Sequence, residues 1–269
     1  MAHNTTIVTT YINISKYDSR SAKRSELEYK KQASDFLLKI PLPMYIYVES
    51  ENEDFAREER TKYGLESLTK IVVLDFSNLS HSGSLHSLGR GRDKGKKKAR
   101  KSSALDNSSY VVIINSKAEF VSRSMKDDYF NSNYFYWLDF SIGRHRYTES
   151  NIQNVLDIAA NPHGKVSLGL INKYEGDYDE LMTGYKWLTI GGSFTVPNEG
   201  KGKAFLNKWI AEYNSATAKD LYPYEEAIFY KMWMDKPKDF IVYNANYDTC
   251  LYEYFNVLMD VSPYLGKIY

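Results

Sequence analysis

Three apolar segments of the chain run into a carboxylate: Tyr47-Val48 into Glu49, Ile71-Val-Val-Leu74 into Asp75, and Phe135-Tyr-Trp-Leu138 into Asp139. Such positions collect chemistry, because in a parallel α/β sheet the ligand crevice lies beyond the carboxyl ends of the strands. Asp139 is the sharpest of the three. It closes an aromatic strand, where an unpaired carboxylate costs several kcal/mol, so it calls for a divalent metal, an arginine such as Arg144 or Arg146, or a strand-end capping role. A second acidic pair, Glu225-Glu226, stands two residues after Pro223, where proline suits a first helical turn and acids suit the positive end of the helix. Gly191-Gly192 marks either a bulge in a strand or a close approach of backbone to a ligand. His81, His86, His145 and His163 show no ligand spacing, and no Gly-x-Ser-x-Gly elbow is present.

Positive charge is gathered in one stretch. From Arg90 to Lys101 there are eight basic residues and one acid, Asp93, a local +7 that leaves −6 on the rest of a chain of net charge +1. Residues 77–109 are rich in Ser, Gly, Asn and charge, so burial cannot offset their ordering entropy, and a flexible basic insertion of about 30 residues is expected. It reads either as a solvated loop or as a grip on nucleic acid or another anionic polymer, with the α/β domain as scaffold. Under the second reading, binding falls steeply with salt and disappears when residues 90–101 are deleted.

The elements that must position these groups alternate. Thr6 to Tyr11 reads as a β-branched strand; Ser25 to Leu38 reads as a helix with Leu27, Ala33, Phe36 and Leu37 on one face, stopped by Pro41 and Pro43. Met44 to Val48 is a strand, Asp54 to Lys62 a charged helix closed by Gly64, and Lys70 to Asp75 a third strand. This strand and helix alternation predicts a mostly parallel sheet. Beyond the insertion Tyr110 to Met125 reads as a strand followed by a helix or, the reading favoured, as mostly helix from about Ser109 to Met125. Then come the aromatic strand, a helix to Ala160, strands over Lys165 to Ile171 and Trp187 to Thr195, helices over Gly200 to Asn214 and Pro223 to Met234, and a closing strand Phe240 to Asn244. With no internal repeat and no Pro-rich linker, one domain over 1–269 is expected.

Composition excludes several classes. At 43% hydrophobic and 15% aromatic, with 24 tyrosines, the chain carries too much core-forming surface for disorder. A single cysteine, Cys250, rules out an internal disulfide and a Cys-based zinc site. No apolar run reaches the roughly 18 to 20 residues of a membrane span, and Met1 to Thr10 lack a basic region followed by an apolar stretch. A reducing, cytoplasmic location is expected.

Asn115-Ser-Lys117, followed by Asn131-Ser-Asn-Tyr-Phe-Tyr-Trp-Leu-Asp139-Phe-Ser-Ile-Gly143, resembles the corresponding stretch of the HtrL/YibB family of glycosyltransferase-like bacterial proteins. The opening strand, the Pro43 to Val48 strand, Gly191-Gly-Ser-Phe194 and Glu225-Glu226 agree in order. The resemblance implies a GT-A-like α/β domain with a mostly parallel twisted central sheet flanked by helices. It further implies transfer of a sugar from a nucleoside-diphosphate donor, a UDP- or GDP-sugar, to a hydroxyl of a glycan or glycoconjugate acceptor. In that frame Asp139 would hold the donor diphosphate through Mn²⁺ or Mg²⁺, ions that take hard oxygen ligands. Lys117 would lie near the donor phosphates as a point charge, with Arg60 as a further donor-binding candidate; without the resemblance, Lys117 reads as a helix-surface lysine. Gly191 and Gly192 would admit the sugar closely, Glu225 or Glu226 would deprotonate the acceptor hydroxyl, and Tyr134, Tyr136, Tyr222 and Tyr224 would stack on sugar rings. The segment departs from the family pattern in having one acid instead of an Asp-x-Asp pair and Ser141 where glycine is commoner. Those departures leave metal dependence, and an inactive member of the same fold, as open alternatives.

Overall fold

The structure is a computed structural model, and it describes residues 4–17, 25–96, 107–142, 149–183, 186–245 and 266–268. Side-chain alternation organises its first half. The strands β1 (Thr5–Tyr11), β2 (Met44–Val48), β3 (Thr69–Val73) and β4 (Tyr134–Leu138) pair in parallel, β1 lying between β2 and β4 and β2 carrying β3. Successive side chains leave opposite faces, so Val8, Tyr45, Tyr47, Phe135 and Trp137 join one core. Ile7, Met44, Ile46, Tyr136 and Leu138 join the other.

Helices cover both faces. The second core takes residues of α1 (Glu26–Asp35) and α2 (Glu53–Thr61); the first takes those of α3 (Leu85–Lys96) and α4 (Ser108–Asp127). The second half supplies α5 (Glu149–Ala160), β5 (Val166–Leu170), β6 (Glu175–Gly176), α6 (Tyr178–Leu181), β7 (Thr189–Pro197), α7 (Lys201–Ala218), α8 (Glu225–Asp235), β8 (Phe240–Asn244) and β9 (Lys267–Ile268). Val155 and Ile158 of α5 join the second core, and the apolar faces of α7 and α8 complete the first. The main sheet runs β3-β2-β1-β4-β7-β5-β8, with β7 antiparallel to β4 and to β5 and β8 parallel to β5; β6 and β9 form a small separate sheet. The α/β class and the mostly parallel sheet flanked by helices are therefore as expected. From β1 the chain steps outward to β2 and β3 and then returns to β4 on the other side. The carboxyl ends of β1 and β4 thus frame a topological switch point, the place where open α/β sheets take ligands.

Three expectations are corrected. Leu27 is not on the buried face of its helix but 76% exposed; the helix ends at Asp35, and Leu37 and Leu38 are buried in the 3₁₀ turn that follows. The described part of the 77–109 insertion is folded instead of loose: Leu79 and Leu88 are buried, Ser80 N–H donates to Glu119 Oε2 at 2.9 Å, and Arg90 pairs with Asp220 at 2.7 Å. A handful of apolar anchors therefore suffices where composition suggested none. Lys97, Lys98, Arg100 and Lys101 of the basic run lie outside the described residues.

Arg60 is the third correction. It is fully buried, and its five N–H donors go to Thr69 Oγ1 at 2.8 Å and the carbonyls of Leu38, Ile40, Leu42 and Leu68 at 2.7 to 3.3 Å. No donor remains for a phosphate. Burial pulls its pKa down to about 10, still far above neutrality, so the guanidinium stays charged and clasps the turn before β2 to the start of β3. Among the described residues no helix is long and apolar enough to cross a membrane. Arg60→Met leaves several buried carbonyls unpaired, and we expect a loss of about 2–5 kcal/mol in urea unfolding; a change under about 0.5 kcal/mol, the range of ordinary surface substitutions, would contradict the clasp.

Candidate functional site

At the switch point lies a cleft of ≈ 280 Å³ whose wall includes Tyr11, Asn13, Tyr29, Tyr110, Trp137 and Asp139. Its aromatic side is ordered by ring contacts: Tyr11 stacks on Phe140 at 5.1 Å and meets Tyr29 at 5.6 Å. The helix α4 crosses behind it. Asn107 starts that helix by accepting the Ser109 N–H at 2.8 Å, and one turn near its middle carries Asn115, Ser116 and Lys117, all buried.

Those side chains tie α4 to four other elements. Asn115 donates to the Pro223 carbonyl at 3.1 Å, and its Oδ1 accepts from Trp209 Nε1 at 3.1 Å, so the start of α8 is held against α4 and α7. Lys117, only 2% exposed, sends its Nζ to Asp139 Oδ1 at 2.8 Å, to Glu225 Oε1 at 3.1 Å and to the Gly191 carbonyl at 2.8 Å. Its ammonium also stands 5.6 Å from the Trp137 ring centroid. The Trp137 indole N–H donates to the same Asp139 Oδ1 at 2.8 Å, and the Asp139 backbone N–H donates to the Gly192 carbonyl at 2.9 Å. Asp139 is therefore fixed at side chain and backbone, with its side chain 34% exposed at the cleft.

Electrostatics follow from this packing. Burial alone lowers the Lys117 pKa, but Asp139 and Glu225 outweigh it and hold the ammonium above its ordinary value of 10.5. Burial raises the Glu225 carboxyl, Lys117 opposes the rise, and Asp139 adds to it. Its Oε2 is buried with no hydrogen-bond partner among the described residues. Tyr110 is pushed well above 10 by burial and then by Glu225, Asp139 and Glu226, so the phenol on the cleft wall stays neutral.

The structure brings Lys117, Asp139, Gly191, Gly192 and Glu225 into one cluster, and it separates the other candidates from it. Lys117 is no surface lysine. Glu225 and Glu226, 5% and 7% exposed, do not line the cleft, so neither stands where an acceptor hydroxyl would enter. Gly191-Gly192 lies in the part of β7 where the register against β5 shifts, so the strand is bulged there as well as close to the site. Tyr136, Tyr222 and Tyr224 are 0 to 2% exposed and cannot stack on a sugar, and Tyr134 does not line the cleft; the tyrosine rings on the cleft are Tyr11, Tyr29 and Tyr110, beside Trp137 and Phe140. Tyr11 was marked only by ending the first strand, and nothing local marked Tyr29 or Tyr110. Glu49 is turned to structure, accepting from Asn13 N–H at 2.7 Å and Tyr17 Oη at 3.0 Å. Asp75 is exposed and does not line the cleft. Arg144 and Arg146 lie outside the described residues.

A hard carboxylate oxygen is the donor type that Mg²⁺ or Mn²⁺ prefers. Among the described residues no group of three or more His, Cys, Asp or Glu gathers to hold a metal. The donors among the described residues would fit an ion shared between Asp139 and the oxygens of a bound ligand.

The fold and the cleft define an α/β protein with a mixed, mostly parallel sheet and with an aromatic cleft and a fixed aspartate at its switch point. Residues 3–205 match the model of the family described as "Bacterial protein of unknown function (HtrL_YibB)", and the chain belongs to that family. A comparison with curated proteins found no match. Among solved structures, mouse xyloside xylosyltransferase 1 in its apo form is similar at 10% identity and a TM-score of 0.43, over 88% of this chain and 83% of that one. The 4-diphosphocytidyl-2C-methyl-D-erythritol synthase of Anaerococcus prevotii is similar at 11% identity and a TM-score of 0.39, over 92% and 89%. Likenesses that loose carry no argument about function.

A Cβ at Gly191 would stand 2.7 Å from Glu225 Cγ and 2.8 Å from its Cδ, whereas one at Gly192 would meet Asp139 Oδ2 at 3.1 Å. Gly191→Ala is expected to destabilise by about 1–3 kcal/mol through overpacking of the buried cluster, and Gly192→Ala by less than about 1 kcal/mol. Denaturant unfolding of the two variants checks the contrast, and equal losses would contradict it.

Proposed function

We propose that the protein is a glycosyltransferase that binds a nucleoside-diphosphate sugar, a UDP- or GDP-sugar, in the cleft between β1 and β4, and passes the sugar to a hydroxyl of a glycan or glycoconjugate. The observation that carries this reading is Asp139, held rigidly by Lys117 and Trp137 at the mouth of an aromatic cleft at the switch point. The family resemblance around Lys117 and Asp139 supports it.

The residues divide the work by chemistry. Tyr11, Tyr29 and Tyr110 offer apolar faces with polar edges, suited to a planar base or a sugar ring. Asp139 presents a carboxylate whose direction is set before the ligand arrives, and preorganised groups of this kind favour the charge distribution of a transition state. With a divalent Mn²⁺ or Mg²⁺ shared between Asp139 and the diphosphate, charge on the leaving group would be neutralised. Tyr110, kept neutral, can donate a hydrogen bond without adding negative charge to a wall that already holds Asp139. Gly192, whose carbonyl accepts the Asp139 N–H, does not line the cleft and serves by holding β7 against the end of β4.

The test is turnover. UDP- and GDP-sugars are offered with Mn²⁺ or Mg²⁺, and release of the nucleoside diphosphate is followed for wild type and Asp139→Ala. We expect at least one donor to turn over and the variant to lose about a hundredfold or more in rate, the scale of removing one transition-state contact. A full set of donors without turnover, or a variant as fast as wild type, would sink the proposal.

A further inference from the structure

An ammonium has three N–H groups. In Lys117 they are directed to Asp139 Oδ1, Glu225 Oε1 and the Gly191 carbonyl, at 2.8, 3.1 and 2.8 Å. None is left for a phosphate oxygen. Releasing one would strand a carboxylate beside a 2% exposed side chain, and breaking a buried pair by removing a partner is strongly unfavourable. Glu225 is the reason the third donor is not available. With Asp139 and the Gly191 carbonyl alone, Lys117 would keep one N–H for a ligand; Glu225, 5% exposed on α8 and held there by the Asn115 bond to Pro223, takes it up.

We propose that Lys117 is a positioning residue and not a phosphate ligand: with Glu225 as its buried counter-charge, it fixes Asp139 at the cleft and acts on a bound ligand only through Asp139. The proposal rests on the nucleotide-sugar reading for the identity of that ligand. It also reassigns Glu225 from acceptor base to the partner that keeps Lys117 in place. The consequence is a chain of contact running from α8 through α4 to the end of β4, in which Lys117, although it lies on the cleft wall, acts on the ligand through Asp139 because its N–H groups are engaged.

The two roles of Lys117 separate in a thermodynamic cycle. Lys117→Met alone leaves two like charges facing each other and can fail to fold, so the variant used is the charge-balanced pair Lys117→Met with Glu225→Gln. Calorimetric titrations with UDP and GDP, each with Mn²⁺, and with uridine and guanosine are made on wild type, Asp139→Asn, the charge-balanced pair, and the three substitutions together. We expect Asp139→Asn and the pair each to weaken nucleoside-diphosphate binding about tenfold, the size of one charge-assisted contact. The triple variant should lose less than about twofold more, because both lesions act through one residue. A further tenfold loss in the triple variant, confined to UDP or GDP and absent with the nucleosides, would show a direct phosphate contact and overturn the proposal, as would wild-type affinity in the pair. A wild type that binds no nucleotide overturns the glycosyltransferase reading instead. Unfolding then decides the positioning role: the charge-balanced pair should lower the denaturant midpoint less in an Asp139→Asn background than in wild type, and an equal lowering counts against it.

Discussion

A positive charge placed where water cannot reach it is the constraint from which the site follows. Lys117 sits on the buried face of α4, and taking its ammonium out of water costs several kcal/mol unless charges and carbonyls replace the hydration. Three groups do so, and each comes from a different element: Asp139 follows β4, Gly191 lies in β7, and Glu225 opens α8. Meeting the needs of one atom therefore fixes where a helix N-terminus, a strand end and a strand bulge must stand relative to α4. The cost is shared in an unequal way. Two carboxylates face one cation, so burial and mutual repulsion raise the Glu225 pKa, and the outer acid, Asp139, is the one left in contact with the cleft.

Arg60 shows what the same physics does without a ligand. It too is a buried cation, but its donors end on neutral carbonyls and a threonine hydroxyl around the turn between α1 and β2. Carbonyls of neighbouring backbone are fixed by the fold and carry no net charge, so that arrangement stabilises a turn and nothing more. Carboxylates as partners bring excess negative charge and, at Asp139, an opening to solvent. One cation is a structural clasp and the other reaches a site because of the partners each has, not because of burial as such.

The sequence made the frame legible for a simple reason. Strands of four to seven apolar residues and helices with sharp stops are local patterns, and β1 to β4, β5, α4, α7 and α8 all lie within a few residues of their expected places. Asp139 was legible for the same reason, since an acid that ends an aromatic strand is a local anomaly. What local pattern cannot give is which side chains face each other across the sheet. Lys117 read as a surface lysine until α4 was packed, Glu225 looked like an ordinary acid at a helix start, and Arg60 looked available because its five acceptors come from two separate stretches of chain, residues 38–42 and 68–69. The same limit applied to residues 77–96, where Leu79 and Leu88 dock a segment whose composition argued for a loose loop. Tyrosine count pointed at ring-lined surfaces correctly but at the wrong rings, because alternation turns Tyr136 into the core while Tyr11 ends its strand at the cleft.

Charge on the cleft wall sets a further condition on what enters it. The charged residues that line it among the described ones are Glu26, Lys117 and Asp139. Glu26 is paired with Lys30 at 2.6 Å, and Lys117 has already given its three N–H groups to Asp139, Glu225 and Gly191. A nucleoside diphosphate brought to this wall meets a carboxylate whose neighbouring cation is engaged, and two like charges a few ångströms apart repel by about 4 kcal/mol at an effective dielectric constant near 20. A divalent ion carried by the diphosphate reverses the sign of that term, because Asp139 then faces a cation, and a single aspartate suffices where the rest of the coordination sphere comes from the ligand and water. On the nucleotide-sugar reading, one acid in place of a pair would suit an ion that arrives with the nucleotide and is not held beforehand by the protein.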